Sequence, residues 1–142
     1  MVPVKITIHS LTKGTEEGPM TFVSYGTLTE KNNTVYVRYE ESAVTGMEGT
    51  KTTLKWDADS LTVIRHGKYE HRQHYERGRN TSFNYVTPYL TVPMVVFTRL
   101  MTFEKGDGRW DLALDYDVDI DQKSNGSISL KIEIEEEKVS GH

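Results

Sequence analysis

Apolar and polar residues alternate along most of this chain, and the alternation is clearest near its C-terminal end. Every second residue from Trp110 to Ile120 is apolar, whereas the intervening positions up to Asp121 hold five aspartates and one alanine. A period of two places one set of side chains on each face of a β-strand. The pattern therefore predicts a strand with one buried face and one solvated face.

Similar alternation recurs nearly end to end and predicts ten strands joined by short turns rich in Gly, Asn and Asp. Eight to ten sequential hairpin strands can bury their apolar faces and protect their edges by closing into a barrel. We therefore expect an all-β fold, an antiparallel up-and-down β-barrel, with a two-sheet sandwich as the alternative. The best candidate for a short helical turn is Glu41–Glu48. The predicted strands are Val2–His9, Thr21–Thr29, Thr34–Glu40, Thr50–Asp57, Ser60–His66, Lys68–Tyr75, Ser82–Thr87, Val92–Glu104, Arg109–Asp121 and Ser127–Glu137.

Composition narrows the class of protein. The chain has 142 residues, a length that predicts one domain spanning residues 1–142. It has no cysteine, so disulfides and thiolate metal sites are excluded. No apolar run is long enough to span a membrane, and no signal-peptide pattern opens the sequence, so we expect a cytoplasmic protein. The formal net charge is −4, which disfavours nucleic acid as a partner.

Four segments of the chain resemble the YwiB-like proteins, a family of small uncharacterised bacterial proteins. They are Tyr36–Glu41, Gly46–Trp56, Val63–Gly67 and Tyr85–Tyr89, and Gly49–Thr53 is the most specific part. The resemblance implies a calycin-type, lipocalin-like β-barrel in a bacterial cytoplasm. It implies no activity, because the family has no assigned function.

Arg65 is the most informative candidate for a binding residue. Counted from Leu61 and Val63 it falls on the apolar face, where an arginine needs a carboxylate or an anion as partner. Glu41 has the parity to pair with it, and an anion bound inside the barrel mouth is the alternative. Thr50 and Thr52 share the inward face with Leu54 and Trp56 and would add hydroxyls at that mouth. The predicted ligand-binding set is Glu41, Thr50, Thr52, Arg65, Arg72 and Tyr89.

Other motifs fit known chemistry less well. Gly49–Thr53 lacks the adjacent Gly-Lys pair and the following helix of a phosphate-binding loop. His71 and His74 lie on opposite faces of a strand, so they do not form a metal pair. The aspartates from Asp115 to Asp121 miss the spacing of a calcium loop and indicate a solvated outer face. Glu133–Lys138 is a near miss to the charged run of triphosphate-tunnel enzymes. No catalytic residue, metal or cofactor is predicted.

The leading hypothesis for function is non-enzymatic binding of a small polar or anionic ligand at the barrel mouth. One alternative is a structural or protein-interaction module without a ligand, and another is an enzyme of unrecognised type that uses Glu41, Arg65 and Tyr89. A deep polar cavity containing Arg65 and Thr52 would favour binding. An interior filled by aromatic side chains would favour the structural role, and the candidates are Trp56, Phe97 and Trp110. A homodimer formed through an exposed strand edge also remains open.

Overall fold

The computed structural model describes residues 1–13, 18–120 and 123–137, with residues 123–125 described by their backbone alone. In this part of the chain ten strands form one sheet, and a single 3-10 turn lies between the third and fourth strands. This turn lies within Glu41–Glu48, the best candidate in the sequence for a short helical turn. The elements are β1 (Val2–Lys13), β2 (Met20–Lys31), β3 (Thr34–Glu40), η1 (Ala43–Thr45), β4 (Thr50–Trp56), β5 (Ser60–Gly67), β6 (His71–Glu76), β7 (Asn80–Val86), β8 (Thr91–Gly106), β9 (Arg109–Ile120) and β10 (Lys123–Glu136).

The sheet is antiparallel throughout its ladders, and its strand order is β6-β5-β4-β3-β2-β1-β10-β9-β8-β7. The two strands at its ends, β6 and β7, also meet each other, so the sheet curls into a nearly closed barrel. The up-and-down β-barrel is confirmed, and the two-sheet alternative is wrong because all ten strands belong to one sheet.

A seam between β6 and β7 replaces a regular ladder. Glu70 and Val86 exchange two backbone hydrogen bonds of 3.0 and 2.9 Å at one end of the seam. Along its length the Thr81 hydroxyl donates to the His74 carbonyl, and the His71 ring stacks against Phe83. The barrel is therefore closed largely by side chains at this one place.

The sixth strand starts later than predicted. The structure begins it at His71 instead of Lys68, because the chain turns at Gly67, which has a φ of +128°. A Cβ atom at Gly67 would lie 2.4 Å from the Gly49 carbonyl oxygen, so the close crossing requires glycine. This turn fixes which residues of β6 face the interior.

The sequence of β8 has apolar residues at both odd and even positions, and a bulge in the strand explains this pattern. Thr98 pairs with Tyr116 and Leu100 pairs with Asp115, so Arg99 is the extra residue. The buried positions shift from Val96 and Thr98 before the bulge to Met101 after it. Arg99 is thereby left on the outside, where its Nε lies 3.4 Å from an Asp117 oxygen.

The aspartates of β9 lie on the outer face of the barrel, where two of them accept hydrogen bonds from serines of β10. Ser127 and Ser129 each donate a 2.6 Å hydrogen bond, to Asp117 and Asp115 respectively. Asp121 lies outside the described residues. The prediction of a solvated outer face is confirmed for Asp115, Asp117 and Asp119. Among the described residues, no helix has the length and apolar character needed to cross a bilayer.

The barrel interior has two different ends. At the end that holds the β8–β9 turn, Trp56 and Trp110 pack edge to face with their ring centroids 5.4 Å apart, and Val4, Leu112 and Ile134 complete a dry core. We call this the tryptophan end. Phe97 was also a candidate for filling the interior. It lies between the buried Val96 and Thr98 and therefore on the other face of β8, because the bulge comes only after it.

Candidate functional site

A cavity of about 250 Å³ lies at the opposite end of the barrel, where β3 ends and β4 begins. We call this the polar end. Its polar lining residues are Ser10, Ser24, Tyr39, Glu41, Thr45, Arg65, Gln73, Tyr75 and Tyr116. Its apolar wall is formed by Ile8, Phe22, Leu54, Val63, Leu130 and Ile132, together with residues of the segment after β3. A concave site with a few convergent polar groups and apolar walls is the usual form of a small-molecule site.

Glu41 and Arg65 form an ion pair in this cavity, as the sequence predicts. Glu41 follows β3 directly, and its backbone N–H donates to the Thr50 carbonyl at 2.9 Å, which fixes it beside β4. Its Oε1 accepts a 2.7 Å hydrogen bond from the Thr52 hydroxyl. The same oxygen lies 3.8 Å from Arg65 Nε, too far for a direct hydrogen bond.

His71 is the second partner of Arg65. The two residues are cross-strand neighbours on β5 and β6, and Arg65 Nη1 donates to His71 Nε2 at 2.7 Å. Burial, reinforced by the adjacent guanidinium, lowers the pKa of His71 to about 4. The imidazole is therefore neutral near pH 7. Because Nε2 accepts from an arginine, its proton sits on Nδ1.

Two buried N–H donors at this end lack hydrogen-bond partners in the described part of the chain, namely Arg65 Nε and His71 Nδ1. A buried donor without a partner is destabilising by about 1–3 kcal/mol, so such groups are rare in a settled core. In contrast, the Glu41 carboxylate already accepts a hydrogen bond. The polar groups at this end that lack a hydrogen-bond partner are therefore N–H donors, which an oxygen acceptor would satisfy.

Three tyrosines surround the charged pair. Burial is the main cause that raises the pKa of Tyr39, Tyr75 and Tyr116, so all three hydroxyls stay protonated. Tyr75 and Tyr116 pack edge to face at 4.9 Å, and the Gln73 amide donates to the Tyr75 hydroxyl. These residues supply neutral polar groups within an otherwise dry wall.

The predicted residues are divided between the cavity and the surface. The structure brings together Glu41, Thr52 and Arg65, and it buries Thr50, whose hydroxyl accepts from the Tyr69 N–H at 3.2 Å. The prediction that Arg72 lines the binding site is corrected by the structure. Arg72 pairs with Ile64 and is exposed on the outer face of the barrel, because the alternation along β6 turns His71 inward.

The prediction that Tyr89 lines the binding site is also corrected by the structure. It lies in the turn between β7 and β8, where the Thr87 hydroxyl accepts from the Tyr89 N–H, and its side chain is 90% exposed. The turn residue therefore points to solvent and lines no part of the cavity. The trio Glu41, Arg65 and Tyr89, considered for an enzyme, is not assembled.

Sequence reasoning missed several residues in the cavity or next to it. His71, Gln73 and Tyr75 alternate with Arg72 and His74 on β6, and the inward set depends on the turn at Gly67. No signal within β6 itself distinguishes the two faces. Tyr39 and Tyr116 were recognisable as inward-facing by their alternation, but their distance from Arg65 was not.

Other candidate chemistry finds no support in the described residues. His74 bonds the Thr62 hydroxyl on the outer face while His71 faces inward, so the two histidines lie apart as predicted. No group of three or more His, Asp or Glu side chains there is arranged to hold a metal ion. Glu133 and Glu135 face outward toward Arg109, and Ile132 and Ile134 face the core. The last residue of that triphosphate-tunnel-like run, Lys138, lies outside the described residues.

A larger groove of about 380 Å³ runs over the outside of β1, β10, β9 and β8. Leu11, Pro19 and Leu100 contribute to it, together with Ala113. It lacks the buried charged group that distinguishes the polar end. We therefore take the interior cavity as the candidate site.

Comparison with known proteins gives a family and a fold. Residues 4–132 match the family model described as "Domain of unknown function (DUF1934)". A solved structure, the crystal structure of the ywiB protein from Bacillus subtilis, matches with a TM-score of 0.83 at 18% identity, covering 96% of this chain and 93% of that one. No curated protein sequence matches the chain. The structural match supports the barrel, and neither match assigns an activity.

Proposed function

Because this chain belongs to the DUF1934 family, a family defined as a domain of unknown function, we propose a function from the geometry of the polar end alone. The protein binds a small polar or anionic ligand in the cavity at the barrel mouth and does not convert it chemically. A cytoplasmic setting, expected from the family resemblance, is part of the same proposal.

The observation that carries this proposal is the pair of unpartnered buried donors. Arg65 Nε and His71 Nδ1 belong to one hydrogen-bonded pair of side chains, and Arg65 lines the cavity. A ligand oxygen in the cavity would satisfy Arg65 Nε, and an anion would also gain the charge-assisted bond that a guanidinium offers. The site therefore favours ligands that bring acceptors.

The size of the cavity limits the ligand. About 250 Å³ is below the range of about 300–1,000 Å³ that is typical of drug-sized ligands. The expected ligand is accordingly a metabolite of few atoms, and a nucleotide or a long acyl chain would not fit inside.

The test is a thermal-shift screen of the whole chain against small carboxylates, inorganic phosphate, phosphorylated metabolites and neutral polar compounds. A ligand present at one hundred times its Kd should stabilise the protein by about 2.7 kcal/mol. For a chain of this size that corresponds to a rise in Tm of about 5–10 °C. Arg65→Ala should abolish the shift.

Arg72→Ala is the matched control, because Arg72 is the arginine on the outer face of the neighbouring strand. It removes the same charge outside the cavity and should leave the ligand-induced shift unchanged. If no compound stabilises the wild-type chain, or if both variants lose the shift equally, the binding proposal is wrong. The module without a ligand would then be the better account.

A further inference from the structure

Glu41 holds a negative charge in a fixed position next to the arginine of the candidate site. Its side chain is 2% exposed, against 21% for that of Arg65. The Thr52 hydroxyl and the backbone bond to Thr50 keep the carboxylate in place. A ligand anion that reaches Arg65 Nε must therefore share the guanidinium with a carboxylate that cannot swing away.

The charges that face the cavity sum to zero. Among the described residues that line it, Arg65 is the one cation and Glu41 the one carboxylate, since Gln73 and the tyrosines are neutral. His71, which contacts Arg65 from β6, is neutral near pH 7 as well. A monoanion adds one negative charge, which Arg65 Nε can meet with a direct hydrogen bond. The second charge of a dianion has no further cation to meet it, and an uncompensated buried charge is strongly unfavourable.

The apolar wall adds a second selection. Phe22 on β2 and Leu130 and Ile132 on β10 line the same cavity as the ion pair. A ligand whose charged head reaches Arg65 therefore has an apolar surface available for the rest of its atoms.

We propose that Glu41 is the specificity-determining residue of this site and restricts it to short monocarboxylates, against dicarboxylates and phosphate. This inference rests on the proposed function and names the ligand class for it. Glu41 acts by charge: it makes the second negative charge of a dianion unfavourable, while Arg65 makes the first acceptable.

The experiment compares sodium hexanoate with sodium butylmalonate and inorganic phosphate by isothermal titration calorimetry of the whole chain at about pH 8, where phosphate is mainly a dianion. Butylmalonate is hexanoate with a second carboxylate on the carbon next to the first, so both of its charges reach the ion pair. The wild-type chain should bind hexanoate at least about tenfold more tightly than either dianion, because two like charges about 4 Å apart repel strongly even at an effective dielectric constant of 20. In Glu41→Gln, which keeps an acceptor for Thr52, this preference should fall at least about tenfold.

Glu40→Gln is the matched control, because Glu40 is the neighbouring carboxylate and lies exposed on the outer face. It should keep the preference of the wild-type chain. Glu41→Met removes the charge without a buried amide and replaces Glu41→Gln if that variant does not fold.

The outcomes separate the inference from the proposed function. If the preference is unchanged in both Glu41 variants while Arg65→Ala still abolishes hexanoate binding, the specificity assignment is wrong and the binding function stands. If none of the three probes binds to the wild-type chain, the assignment of monocarboxylates is wrong, and the wider thermal-shift screen decides the function. A preference lost equally in Glu40→Gln also overturns the assignment.

Discussion

The two ends of the barrel are built by the same strands and differ only in which side chains those strands point inward. On β4 the inward residues are Thr50 and Thr52 at the polar end, followed by Leu54 and Trp56 toward the tryptophan end. On β5 the inward row starts with Leu61 and ends with Arg65. Backbone geometry is continuous across the change. At one end two tryptophan rings pack together, and at the other the Glu41–Arg65 ion pair lines a cavity, so under the proposed function stability and binding would be separated along single strands.

The largest effect is expected at the tryptophan end. Trp56→Ala should lower the free energy of unfolding by about 3–5 kcal/mol, because it removes a side chain that is 1% exposed and leaves a void against Trp110. Urea denaturation followed by circular dichroism measures the change. Tyr89→Ala, at an exposed turn residue, should change stability by less than about 0.5 kcal/mol. A loss of less than about 1.5 kcal/mol for Trp56→Ala would show that the tryptophan end does not hold the barrel together.

A smaller effect is expected at the polar end. Arg65→Ala should lower the free energy of unfolding by about 1–3 kcal/mol, because it leaves the buried Glu41 carboxylate without its cation and His71 Nε2 without its donor. Arg72→Ala, measured in the same urea titration, should stay within about 0.5 kcal/mol of the wild-type chain. Equal losses in the two variants would mean that the inward arginine is no more important than an outer one.

The smallest effect is a dependence on pH that originates in His71, the partner of Arg65 at the polar end. The folded protein has a His71 pKa of about 4, against 6.5 ordinarily, so between these values the unfolded chain binds more protons than the folded chain. Stability should therefore rise with pH from 4 to 6.5, and His71 should account for about 1–2 kcal/mol of it after allowance for solvent screening.

His71→Gln isolates that contribution, because it removes the titrating group and leaves an amide beside Arg65. Urea titrations at several pH values should give the variant a shallower slope than the wild-type chain in this window. Trp56→Ala should lower the whole curve without changing its slope. Parallel curves for His71→Gln and the wild-type chain would contradict the assignment.

Much of this division was predictable from the sequence. Alternation alone places Thr52, Leu54 and Trp56 on one face, and the parity of Arg65 requires a partner that Glu41 supplies. These predictions depend on spacing within one strand or between strands joined by a defined hairpin. The barrel follows from the same evidence, because short connections between amphipathic strands leave few other ways to bury one face.

The positions of the other residues could not be predicted, because they depend on a turn and a bulge that do not appear in the alternation of apolar and polar residues. The turn at Gly67 sets the inward face of β6, so His71 and not Arg72 faces inward and contacts Arg65. The bulge at Arg99 changes the face of β8 midway, which excludes Phe97 from the interior. In both cases one residue of offset exchanges the two faces of a strand, and the offset is decided by contacts with residues distant in sequence.

The order of the strands has a consequence for how the chain folds. The seam between β6 and β7 lies between consecutive strands, whereas the ladder between β1 and β10 joins Val4 to Glu136 and spans nearly the whole described chain. The strands from β1 to β6 and from β7 to β10 form two meanders whose contacts are local, so each can assemble early. Joining them through β1 and β10 closes the longest loop and carries the greatest loss of chain entropy. We therefore expect the ladder between β1 and β10 to form last, whereas the seam between β6 and β7 joins strands that are consecutive in the chain.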